Sequence, residues 1–260
     1  MSRSFKNLVI AAATMLFATN LLAYDFQVGD LYYTITSSTS PYTVEVARHS
    51  SYMYYDSVTI PVGVYNNGRN YSVTGIGDSA FYNCTGLLRA TLNNSITSIG
   101  NCAFYSCSSL SSMTIPGSVR TIGDKAFAGC IYLSSVTIER VSYLTSIGDE
   151  AFASCAITSI SLPVTLLTIG NGAFSGTPLT YITIPDYVTS IGDDAFLSCT
   201  RLSSILFSTS LVSIGSYAFA NCTSITTLNL PSSIKRIGRQ AFWGCTSLSR
   251  VNYSGFLNHW

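Results

Sequence analysis

The dipeptide Ile-Gly recurs at Ile76, Ile99, Ile122, Ile147, Ile169, Ile191, Ile214 and Ile237, at intervals of 22 to 25 residues. A period of that length is the mark of a solenoid, in which each coil leaves apolar surface that only the next coil can bury. Each repeat has four parts. The first, L-x-x-[VIL]-x-[IL], as in Leu133, Val136 and Ile138, alternates over its last three residues as a short strand does, with Val136 and Ile138 inward. A turn follows, marked by Pro116, Pro163, Pro185 and Pro231, since proline has no N–H to give a strand ladder. A second β-rich run ends at the Ile-Gly pair. The fourth part is I-G-[DN]-x-A-F-x-x-C, and the spacing of Ala126, Phe127 and Cys130 predicts about one turn of helix with its phenylalanine inward. Asp78, Asn101, Asp124, Asp149, Asn171 and Asp193 stand where N-caps of such helices would stand. The residue before each cysteine is Asn, Ser or Gly, types that tolerate a tight corner. The first-part strands are expected to pair into one parallel sheet, and eight coils at about 4.8 Å per coil give a body about 40 Å long.

The pattern LxxLxIPxSVxxIGxxAFxxC, in eight consecutive copies from Ile76 onward, resembles the BspA-like class of leucine-rich repeats and covers about two thirds of the chain. The leading stretch YDFQVGDLYYTITSSTSPYTVEV is similar to the segment that precedes such repeats on bacterial surfaces. The resemblance implies a β-rich solenoid and a secreted or surface-displayed protein that binds protein or glycan partners on host or neighbouring bacterial surfaces. The chain departs from the pattern in a two-residue insertion at Glu139–Tyr143, which should bulge at the end of its strand. It departs again in Thr177, which replaces a cysteine, and in Asn93, Glu139 and Ser208, which replace the proline.

Residues 1–23 read as a secretory signal peptide, with Arg3 and Lys6 ahead of an apolar run and cleavage expected after Ala23. No later segment is long and apolar enough to span a membrane. Residues 24–75 do not follow the period. LYYTI, YTVEV and SVTIP alternate like strands, Asn66-Asn67-Gly68 is a hairpin signal, and nine of the 17 tyrosines lie here. This segment is expected to form a β cap over the first coil, with residues 76–260 as the solenoid. Tyr52, Met53, Tyr54 and Tyr55 form an aromatic cluster that either packs the cap or makes contacts.

A net charge of +1, with 10% charged and 47% hydrophobic residues, suits a buried core and gives no field for nucleic acid. His49 and His259 have no partners at metal-ligand spacing, and no nucleophile motif, phosphate loop or cofactor fingerprint occurs. No catalytic, cofactor or metal residue is expected. The carboxylate row Asp78, Asp124, Asp149 and Asp193 leaves a carbohydrate-active enzyme as an alternative function, since paired carboxylates hydrolyse glycosides. A structural spacer that displays the cap is another. Seven cysteines (84, 107, 130, 155, 199, 222 and 245) share one repeat position and read as a buried thiol ladder, with disulfides the alternative. Cys102 should face solvent.

The outward positions of the first-part strands are nearly all serine and threonine, interrupted by Tyr181 and Leu206 and flanked by Arg89 and Arg250. They suit broad contact, with Tyr181 the expected anchor. Lys235, Arg236 and Arg239 form a possible basic edge for an acidic partner. At the C-terminus, Phe256, Leu257 and Trp260 are expected to fold back over Leu228 and Leu230 and keep the chain monomeric. The other outcome is a dimer through the open edge.

Overall fold

A computed structural model describes residues 24–48 and 56–255. The expected signal peptide, the Tyr52–Tyr55 cluster, His49, His259 and the tail residues Phe256, Leu257 and Trp260 lie outside the described residues.

The chain forms a β-solenoid whose coils share one core, running from Leu31 in the N-terminal segment to Ala241 in the last coil. Its densest feature follows from Phe at a fixed repeat position. Phe81, Phe104, Phe127, Phe152, Phe174, Phe196, Phe219 and Phe242 stack face to face, with ring centroids 5.0–5.5 Å apart. The offset is set by the spacing of neighbouring strands.

Two rows of strands run along the solenoid, and the continuous one is not the one expected. The short strands that end in Ile-Gly, such as Ser98–Ile99, Thr121–Ile122, Ser146–Ile147 and Thr168–Ile169, pair in parallel from coil to coil through Arg236–Ile237. The first-part strands do not make one sheet. Ser112–Ile115 pairs with Ser135–Ile138, Tyr181–Thr183 with Ser204–Leu206, and Thr227–Leu230 with Arg250–Tyr253, each as an isolated pair. The glycine explains why the second row closes up. A Cβ on Gly170 would stand 2.6 Å from the carbonyl carbon of Gly148. Backbone therefore touches backbone there, at a distance that only glycine permits.

The expected helical turn is absent: among the described residues there is no helix. The I-G-[DN]-x-A-F-x-x-C segment is a succession of tight turns in which every fourth residue turns left-handed. Ser79, Cys102, Lys125, Glu150, Asp194, Tyr217 and Gln240 have φ of 53–58°, and the residues before the cysteines, such as Asn83, Ser106 and Ser154, have φ of 55–58°. These turns aim every second N–H at the next coil. Ser79, Phe81 and Asn83 donate to the carbonyls of Asn101, Ala103 and Tyr105 in the next coil, and later coils repeat the pattern. A helix would spend those donors within one coil, whereas this arc forms a third hydrogen-bonded side.

The N-terminal segment is built on the same sheet. Strands β1 (Phe26–Val28), β2 (Leu31–Ser37) and β3 (Thr43–Ala47) are antiparallel neighbours. Strand β4 (Asp56–Thr59) pairs in parallel with Leu87–Thr91, so it precedes the first-part row as an extra rung. Strands β5 (Gly63–Asn66) and β6 (Arg69–Ile76) form the hairpin read from Asn66-Asn67-Gly68, with positive φ at Asn67 and Gly68. Strand β6 then joins β3 on one side and Ser98–Ile99 on the other. Tyr33, Tyr71, Tyr42 and Phe26 pack together there, and burial pushes the Tyr33 phenol up to about 12. At the other end, among the described residues, no coil covers Ile237, Phe242, Leu248, Val251 and Tyr253, and an apolar hollow of about 400 Å³ opens among them.

Candidate functional site

The carboxylate row is a structural fitting that runs from coil to coil along the surface of the solenoid. Asp78 Oδ1 accepts the backbone N–H of Asn101, and Asn101 Oδ1 accepts that of Asp124. The relay continues through Asp149, Asn171 and Asp193 to Ser216, at 2.6–2.8 Å throughout. These side chains therefore cap the next coil rather than a helix of their own, which corrects the N-cap reading. The type is required because only a short side chain with an acceptor oxygen reaches one coil onward. The row runs in single file. One shallow groove of about 380 Å³ does lie beside Asp149, Glu150 and Asp194, where Gly172 lacks the side chain its neighbours carry. Desolvation, with Asp193 nearby, holds the Asp194 carboxyl above its usual range.

The cysteines are free thiols. Each of Cys107, Cys130, Cys155, Cys199, Cys222 and Cys245 donates its S–H to the carbonyl of a phenylalanine in the preceding coil, at 3.0–3.2 Å. Burial pushes the Cys155 thiol up to about 12 and the Cys199 thiol to about 11. Thr177 fills the same place and donates to Phe174. Cys102 is half exposed. Among the described residues no group of three or more His, Cys, Asp or Glu is arranged to hold a metal ion, and no helix is long and apolar enough to cross a membrane.

The outward face of the first-part strands has the alternation read from the sequence. Met113, Ile182 and Leu228 are buried, while Ser112, Thr114, Ser135, Thr137 and Thr183 are exposed. Tyr181 is 48% exposed and Leu206 64%. They lie on paired strands, Tyr181 opposite Ser204 and Leu206 opposite Thr183, so they share one patch. Arg89 lies at the N-terminal end of this face and Arg250 in the last coil, both exposed. Lys235, Arg236 and Arg239 sit together in the last coil beside the continuous row, away from Arg250. Arg239 takes the position held in earlier coils by the Asp/Asn ladder, which ends at Ser216.

The feature that sequence reading missed is where this row breaks. Ser159 to Leu162 should be the fourth coil's strand, but it pairs with neither neighbour. Among the described residues, none bonds to the backbone N–H or C=O groups from Ser159 to Leu162. A groove of about 260 Å³ opens there, lined by Ser135, Thr137, Ser159, Ser161 and Tyr181 among others. A second groove, of about 370 Å³, lies between Leu87–Thr91 and Ser112–Ile115, which also do not pair, and Arg89, Thr91, Ser112 and Thr114 line it. A signal for the first break was present in the spacing. The insertion at Glu139–Tyr143 comes just before it, and the corners Cys155–Ile157 and Thr177–Leu179 are each one residue shorter than the others. The insertion bulges as expected: Glu139 accepts the Gly117 N–H, and Val141 is 78% exposed.

Known proteins of the same build exist. A leucine-rich repeat protein from Bacteroides ovatus is 28% identical over 89% of this chain and 72% of its own, with a TM-score of 0.60. A leucine-rich repeat protein of T. pallidum is 23% identical over 86% of this chain and 91% of its own, with a TM-score of 0.59. The pneumococcal vaccine antigen PcpA is 18% identical over 92% of this chain and 84% of its own, with a TM-score of 0.50. The last two show a common fold. Among curated proteins none matches the sequence. The family described as the BspA type leucine rich repeat region matches residues 65–177 and 167–259 in 6 copies. With stacked phenylalanines, glycine contacts and a repeating arc that all obey one period, the chain belongs to the BspA-type leucine-rich repeat family.

Proposed function

We propose that this protein is an interaction module, secreted or displayed on the cell surface, which binds a macromolecular partner through the outward face of its first-part strands. The family is one of surface interaction proteins, generally extracytoplasmic. The observation that carries the reading is the face itself. It is broad and nearly uncharged, and Tyr181 and Leu206 project from it on two paired strands. Exposed aromatic and aliphatic anchors surrounded by small polar residues are what interfaces use, since a few such anchors carry most of the energy. The carboxylate row supports a structural role better than glycoside hydrolysis, because each ladder carboxylate holds the next coil.

The test is capture from host matrix and bacterial-surface extracts with the full chain, followed by affinity measurement on the partner found. Tyr181→Ala is expected to weaken binding by more than about 1 kcal/mol, roughly fivefold. Its melting curve should be unchanged, because Tyr181 projects from the sheet. Binding unaltered by Tyr181→Ala but lost on Lys235→Ala and Arg239→Ala would move the site to the basic coil.

A further inference from the structure

We infer that the crease centred on Ser159–Leu162 is a subsite for a neutral glycan, a reading that rests on the proposed binding face and narrows its partner. Four consecutive residues with no backbone partner are unusual. Main-chain donors and acceptors are nearly always satisfied, and leaving them bare costs stability unless water or a ligand takes them up. Here three of the four, Ser159, Ile160 and Ser161, line a groove instead of a bulk-exposed loop.

The groove's chemistry selects the ligand. No charged residue lines it, so an acidic glycan or a basic peptide gains nothing there. Ser135, Thr137, Ser159 and Ser161 offer hydroxyls that both donate and accept. Together with the free N–H and C=O groups they match a polyhydroxyl compound, whose own groups also do both. Tyr181 forms one wall, an aromatic face against which the C–H side of a pyranose ring packs. A peptide strand fits less well. Adding a strand needs a straight, free edge, whereas Ser159–Leu162 is flanked by a coil on each side and does not form a strand. At about 260 Å³ the groove is smaller than a whole ligand pocket, so it accommodates one sugar unit of a longer chain. The groove beside Arg89 and Thr91 lies on the same face two to three coils away, about 12 Å at the usual strand spacing.

Affinity electrophoresis of the full chain through gels containing dextran, yeast mannan, galactomannan, xyloglucan or arabinoxylan tests this directly. Retardation by at least one of these is expected. Tyr181→Ala, which removes the wall, and Ser161→Leu, which fills the crease from an exposed position, should each weaken that retardation at least tenfold. Arg239→Ala should not change it. No retardation by any of the five, or retardation that survives both crease variants, overturns the inference. If no glycan retards the chain while a captured protein partner still depends on Tyr181, the binding face stands and the glycan falls. If neither depends on Tyr181, both fall.

Discussion

Gly170 sits where the backbone of one coil touches that of the coil before, and the same contact recurs at Gly123, whose Cβ would meet Gly100 at 2.7 Å. Gly170→Ala therefore forces neighbouring coils apart at a tight contact of the continuous row. The expected loss is about 1–3 kcal/mol, read as a lower urea midpoint. The thiol ladder gives a prediction about pH. The Cys155 and Cys199 thiols are raised from their ordinary 9.0 to about 12 and about 11, because burial disfavours the thiolate. The folded state then holds these protons more tightly than the unfolded one. Their contribution is fully present below about pH 8.5 and drains away as pH climbs toward 11 to 12. Melting temperature should fall on going from pH 8 to 10.5, and Cys155→Val should flatten that fall. An equal slope in the variant would show that other groups dominate. At this scale the sequence was an open text: the period marked Cys and Phe as interior, because each occupies a place in the shared core that successive coils must fill.

The elements were harder to read. Ala-Phe-x-x-Cys has helical spacing, yet the segment is an arc of turns, since a periodicity of three to four residues does not reveal whether N–H groups bond within a coil or to the next. The left-handed residues decide it, and types as unlike as Lys125, Glu150 and Tyr217 adopt that conformation, so residue type carried almost no signal. The Asp/Asn row was misread for the same reason, its bonds running between coils. Asp149→Ala removes the acceptor for the Asn171 N–H and should cost about 0.5–1.5 kcal/mol. Asp149→Asn keeps an acceptor in place and should recover most of it. Stability measured by urea unfolding checks this, and a glycosidase assay on both variants separates the ladder from catalysis. A catalytic carboxylate would be lost equally in Asp149→Ala and Asp149→Asn.

For the whole molecule, the period revealed a solenoid and its outward face, but not which row of strands would close into a sheet. Ladder continuity depends on the spacing of coils on each side of the body, and that spacing is a property of the stack, not of one repeat. The second row is clamped by glycine contacts, and the first row opens into pairs, which leaves Ser159–Leu162 unpaired at the centre of the proposed binding face. Hydrogen–deuterium exchange on the full chain, alone and with its captured partner, tests this most directly. In the free protein the amides of Ser159 to Leu162 should exchange fast, while those of Ser112–Ile115 and Ser135–Ile138 are protected by their pairing. Adding the partner should slow exchange at Ser159–Leu162 and in Tyr181–Leu206. Strong protection of Ser159–Leu162 in the free protein, or partner-induced protection confined to Lys235–Arg239, would contradict the account.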